Sequence, residues 1–124
     1  MTKWISLLTG GIAGTAARYL LAGAVYSWLG TQFPYGTMIV NLIGCFLIGF
    51  FAVLAEEKFL LGPNARLLLM AGFCGAFTTF SAFMLETANL MKDGEILRAF
   101  LNVLISVIAG FMFLRLGVLL GKIF

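Results

Sequence analysis

The sequence predicts an all-α integral membrane protein of four transmembrane helices. Three observations predict it. Of the 124 residues, 62% are apolar and only 10% charged. The mean hydropathy is +1.09, far above that of a soluble domain. The apolar residues also fall into four long runs, parted by short stretches that hold both prolines and six of the 13 charged residues. A spanning helix needs about 20 apolar residues, so a chain of this length holds four spans and little else. They are expected at 4–28, 36–54, 65–91 and 96–121, within a single membrane domain over 1–124.

The first span runs between Trp4 and Trp28, whose amphipathic rings suit the headgroup region at either end. It is too long for a signal-peptide core and has no small-residue cleavage site after it, so it is expected to stay in the protein. Gly10, Gly11 and Gly14 with Ala13, Ala16 and Ala17 offer a small-residue face for close packing. Arg18 sits inside this span. At that depth an arginine costs several kcal/mol unless it pairs, snorkels or lines water, which leaves it either an anchor or a functional group.

The second span follows a turn with Gly30 and Pro34, and carries Thr37, Asn41, Gly44 and Gly49. Asn41 is its only amide. A polar connection with Glu56, Glu57 and Lys58 ends at Gly62-Pro63, a helix-breaking pair. The third span holds Gly72-Phe-Cys-Gly-Ala-Phe-Thr-Thr-Phe-Ser-Ala-Phe83. Gly72 and Gly75, each worth about 1 kcal/mol against a helix, with the adjacent Thr78 and Thr79, predict a kink or break there. Backbone groups freed at that depth need protein, an ion or a wet cavity as a partner. Phe77, Phe80 and Phe83, three residues apart, are expected along one helix face with Ser81 beside them. After the turn Lys92-Asp93-Gly94-Glu95, the fourth span places Asn102, Ser106 and Gly110 on one face, and Arg115 can snorkel.

Basic residues are shared between the two sides: Lys3, Lys58, Arg66 and Lys122 on the side of the termini, Lys92 and Arg98 on the other. So small a bias orients a chain weakly. Two copies inserted in opposite senses would pair antiparallel, the dimeric form of an inverted repeat, and such a pair encloses a pore that four helices alone hardly can. Cys45 and Cys74 both lie in spans, with no Cys-x-x-Cys spacing and no histidine in the chain, which excludes the usual zinc sets. No nucleophile–base pair or phosphate loop stands in a fitting context, so the protein is expected not to be an enzyme. The scattered basic residues likewise point to no nucleic acid.

The interior chemistry is mostly neutral and polar. Glu86 is the one acid well inside a span, with no His, Asp or Lys to join it in a proton relay. Thr37, Thr78, Thr79, Ser81, Ser106, Asn41 and Arg18 supply donors, and phenyl rings are positive at their edges. Together these favour a small anion; packing or lipid-facing rings are the alternative.

Gly75-Ala76-Phe77-Thr78-Thr79-Phe80-Ser81-Ala82-Phe83, with Glu86 behind it, resembles the helix-three signature of the Fluc (CrcB) fluoride channels. Gly36, Thr37, Val40 and Asn41 match their Gly-Thr-x-x-Val-Asn, and Gly10, Gly11, Gly14 and Arg18 their helix-one pattern. The resemblance covers all four spans. It implies a passive, fluoride-selective channel of the inner (plasma) membrane that exports fluoride and lowers its toxicity. The fold it implies is a dual-topology, antiparallel homodimer with a broken third helix and two pores. By the same resemblance Phe80 and Phe83 would line the pore, with Asn41, Ser81, Thr37 and Ser106 as hydrogen-bonding groups and Arg18 at a vestibule. The carbonyls of Gly75 and Thr78, with those of the second copy, would hold a structural sodium ion, and Glu86 and Thr79 would serve gating or the polar track. Ala76, Ala82 and Gly110 depart from the family pattern, the last two by losing hydroxyls. The competing reading is a small proton-coupled multidrug-type transporter using Glu86; a structural subunit or pore-forming lysis protein is a third.

Overall fold

A computed structural model describes residues 1–124. Four segments are long and apolar enough to cross a membrane: Thr2–Leu29, Tyr35–Glu56, Pro63–Lys92 and Ile96–Ile123. The first two are α1 and α2, single helices. The third is composite: α3 (Pro63–Arg66), a π-helical stretch Leu67–Cys74, α4 (Gly75–Phe77) and α5 (Phe80–Lys92). The last is α6 (Ile96–Ile123). Each helix runs up to two residues beyond the expected span at an end, taking in Leu29, Tyr35 and charged flanking residues such as Lys3, Glu56 and Lys122.

Glycines set the packing. In lipid no hydrophobic force drives helices together, so close backbone contact does much of the work. On α1, a Cβ at Gly10 would run into the Leu68 carbonyl, and one at Gly14 into that of Phe73. From the other side, a Cβ at Gly72 would stand 2.7 Å from the Leu7 carbonyl. Gly11 meets nothing, so the glycine face expected on the first span narrows to two positions. A second seam joins α2 to α6. There Gly49 lies against the Leu114 carbonyl, Gly117 against that of Phe46, and a Cβ at Gly121 would stand 3.2 Å from the Phe50 carbonyl.

These two seams put α1 with the first half of the third span, and α2 with α6. Between them Val40 is fully buried. Most other large apolar side chains, among them Phe80, Ile108, Phe111 and Leu116, face outward, as a bilayer requires. At one end of the bundle Arg98 donates to the Gln32 carbonyl at 3.3 Å and pairs with Glu95 at 3.6 Å. At the other, Arg66 reaches the carbonyls of Ala55 and Leu61.

Candidate functional site

The polar groups of the interior gather where α4 ends and α5 begins. Helical angles stop at Phe77. Thr78 (φ −85°, ψ 156°) and Thr79 (φ −149°, ψ 119°) are extended, and the helix resumes at Phe80. Of the four residues expected to interrupt the span, the extended angles fall on the two threonines; Gly75 is α-helical (φ −62°, ψ −38°) and Gly72 lies in the π-helical stretch before it. Gly72 is small because α1 passes close by. On α2, Gly44 leaves the space that the methyl group of Thr78 fills.

Side chains hold the extended pair. Asn41 Oδ1 accepts from the Thr79 N–H at 2.8 Å, and Asn41 Nδ2 donates to the Thr79 carbonyl at 3.0 Å. One amide thus satisfies both backbone groups of a residue that has left the helix, as burial demands. Thr79 in turn caps α5, its Oγ1 accepting from the Ala82 N–H at 3.2 Å. In an unbroken helix, the N–H groups of Thr79 and Ala82 would bond to the carbonyls of Gly75 and Thr78. Both are diverted to side chains, so these two carbonyls lose their helical partners. The next carbonyl, Ala76, accepts from Arg18 Nε at 3.0 Å, which sets a cation at the negative end of α4 and its preceding turns. Thr78 Oγ1 donates back to the Cys74 carbonyl at 2.9 Å.

Two grooves flank this point. The first, about 440 Å³, is walled by Asn41, Thr79, Phe80, Phe83 and Ser106, with Gly75 and Thr78 at its edge. Phe83 is buried, whereas Phe80 is 72% exposed. Their rings cross at 66° with centroids 5.8 Å apart, so the pair offers ring edge as well as face. Ser106 Oγ is buried and has no hydrogen-bond partner. The free thiols Cys45 and Cys74 lie in the same wall. The second groove, about 450 Å³, is lined by Arg18, Tyr26, Thr37, Thr79 and Glu86. Thr37 Oγ1 donates to Glu86 Oε1 at 2.8 Å, and the Tyr26 hydroxyl is 3.4 Å from Thr37 Oγ1. Glu86 Oε2 is buried without a partner. Thr79 borders both grooves. Glu86 also borders a polar cavity of about 640 Å³ beside Gln32, Asp93 and Arg98.

The residues singled out in the sequence therefore divide. Asn41, Gly75, Thr78, Thr79, Phe80, Phe83 and Ser106 share the first groove; Arg18, Thr37 and Glu86 share the second with Thr79. Ser81 is exposed and lines neither. The expected row of three rings is split by the extended pair: Phe77 stacks on Phe73, centroids 5.5 Å apart, and only Phe80 and Phe83 stay together. Sequence reasoning passed over Tyr26, which reads as an interfacial aromatic, and Thr87. Thr87 Oγ1 donates to the Phe83 carbonyl at 2.7 Å and accepts from Asn102 Nδ2 at 2.9 Å.

Four apolar helices of membrane-spanning length, with polar grooves between them, define a small multi-pass membrane protein of the ion-transport class. Comparison with known proteins narrows this. The family described as "CrcB-like protein, Camphor Resistance (CrcB)" matches residues 5–118, and the chain belongs to it. A relative from Chlorobaculum tepidum is 55% identical over 114 residues, covering 92% of this chain and 90% of its own. Others from Prosthecochloris aestuarii (49%) and Chlorobium phaeobacteroides (48%) each cover 92% of this chain and 88% of their own. All three are named Fluoride-specific ion channel FluC, and such channels are not enzymes.

Proposed function

We propose that this protein is a passive, fluoride-selective channel that lets fluoride leave the cytoplasm across the inner (plasma) membrane, working as an antiparallel homodimer with two pores. The observation that carries the reading is the first groove. It brings crossed phenyl rings, a buried hydroxyl without a partner and an amide together at mid-span, with no charged side chain among them. A small anion entering it would meet ring edges from Phe80 and Phe83 and a donor from Ser106. Asn41 keeps one amide hydrogen beyond its bond to Thr79. Fixed donors of this kind replace water best around a small, tightly hydrated halide, and a narrow path rejects a larger one. Arg18, across the broken third helix, would add positive potential to the second groove, where the Glu86 carboxylate is held by Thr37.

The large exposure of Phe80 supports assembly with a second copy, since a ring that walls a dry path needs a wall opposite. Sodium fits the residues present. Carbonyl oxygens are hard ligands, and Gly75 and Thr78 are the two whose helical N–H partners are diverted. One chain offers two oxygens and an antiparallel copy would complete the set. Bound there, the ion would tie the copies together and add positive charge near the path.

Purified protein in liposomes, followed with a fluoride electrode, tests the reading. Fluoride should leave the vesicles with potassium and valinomycin as the only charge compensation, and chloride should be retained. Equal release of both halides would overturn the selectivity. The coupled-transporter reading has one observation in its favour, the partnerless oxygen of Glu86. It requires Glu86→Gln to abolish pH-driven exchange, and fluoride release without a proton gradient would remove it.

A further inference from the structure

We propose that Asn102, acting through Thr87, is a positioning residue for the Phe83 ring and thereby sets the width of the first groove. The inference rests on the channel reading and adds to it a pair of residues outside the groove lining. Asn102 is 1% exposed on a helix whose neighbouring positions are Leu101 and Val103. An amide buried at membrane depth is unfavourable unless it is bonded. Its partner is Thr87, and the direction of the chain of bonds is fixed by chemistry. An amide nitrogen can only donate and a carbonyl can only accept. The Thr87 hydroxyl must therefore accept from Asn102 Nδ2 (2.9 Å) and give its one proton to the Phe83 carbonyl (2.7 Å). Neither end can be reversed.

This matters because α5 is short and begins afresh after two extended residues. Its rotation about its own axis is not inherited from the first half of the span. Three polar ties fix it: Asn41 to Thr79, Thr37 to Glu86, and Asn102 to Thr87. The first two come from α2. The third is the one side-chain hydrogen bond between α5 and α6. It bonds the residue that carries the Phe83 ring, and Ser106, one turn further along α6, lines the same groove. The ring-to-hydroxyl spacing is thus set by a link that touches neither group directly. Loss of the link leaves Phe83 and Ser106 in place chemically but frees their separation.

The test compares Asn102→Leu and Thr87→Val, which remove either end, with Thr87→Ser, which keeps the hydroxyl. Fluoride and chloride release are measured side by side from liposomes holding equal amounts of purified dimer. The fluoride-to-chloride ratio should fall about tenfold in Asn102→Leu and in Thr87→Val, the loss of one buried hydrogen bond. It should stay within about twofold of wild type in Thr87→Ser. The double variant should be no worse than the poorer single one, because both break the same link. Lower yield or melting temperature with a wild-type ratio would reduce the pair to ordinary packing and overturn the inference. So would additive losses in the double variant. If Asn102→Leu fails to assemble, Thr87→Val alone decides, since it changes one atom. Wild-type vesicles that keep their fluoride would sink the channel reading and this inference with it; a conducting wild type with an unaltered Thr87→Val sinks only the latter.

Discussion

Replacing Asn41 by leucine is the most direct probe of how the third span is held open. The change keeps the side-chain volume on α2 and removes both hydrogen bonds to Thr79. Each buried backbone group left without a partner costs about 1–3 kcal/mol, so two leave a penalty of roughly 2–6 kcal/mol. Thr79 cannot simply rejoin the helix. That would turn α5 by about 100° for each residue restored to helical angles, against the ties at Glu86 and Thr87. The assay is amide exchange at Thr79 in detergent or nanodiscs. Protection should drop by about thirtyfold even at the low end of the penalty, since about 1.4 kcal/mol is tenfold, and fluoride release should be lost. Asn41→Asp separates the holding role from an anion-facing one. It keeps an acceptor for the Thr79 N–H, so protection there should largely survive, while a negative charge in the groove stops fluoride. Wild-type exchange at Thr79 in the leucine variant would refute the reasoning.

Phe80→Ile and Phe83→Ile keep bulk but remove the ring edges; both should abolish fluoride release while leaving the dimer intact on size-exclusion chromatography, and unaltered release would make the rings mere packing. Gly117→Ala pushes a methyl group against the Phe46 carbonyl and should destabilise the fold by about 1–3 kcal/mol. Gly62→Ala, at φ −72° with open space around it, should be neutral or stabilising by up to about 1 kcal/mol, and denaturation in mixed micelles compares the two. Exchanging sodium for a bulky organic cation should weaken the dimer, read as faster subunit mixing between labelled pools; identical mixing rates would remove the sodium proposal. Cysteine at Lys3 should be labelled from both faces of sealed membranes in similar amounts, and labelling from one face alone would rule out antiparallel pairing.

The four spans were legible because length and hydropathy alone define them, and so was the concentration of polar groups between Asn41 and Ser106. The interruption expected from Gly72, Gly75, Thr78 and Thr79 together falls, as extended backbone, on the two threonines; the share of the glycines was not legible, since a glycine in a helix reads the same whether it weakens the turn or admits a neighbouring backbone. Only the position of α1 tells the two apart. The π-helical stretch Leu67–Cys74 carries no local mark apart from Gly72: the five residues before it, Leu-Leu-Leu-Met-Ala, are good α-helix formers. Asn41 was visible as the lone amide of its span, but not that both of its polar atoms serve the backbone of Thr79. Thr87 and Asn102 lie on separate helices, so their pairing depends on the rotation of each, which no periodicity within either one fixes.

The bond between Asn41 and Thr79 also bears on how the chain is made. Synthesis proceeds from the N-terminus, so α2 is already in the bilayer when the third span leaves the ribosome. The bare N–H and carbonyl of Thr79 therefore arrive beside a ready acceptor and donor, and need not be stranded in hydrocarbon while the rest of the protein is completed. Thr87 has no such helper until α6 follows. Biogenesis should accordingly lock the entrance to α5 first and its azimuth last, when the final helix closes the bundle.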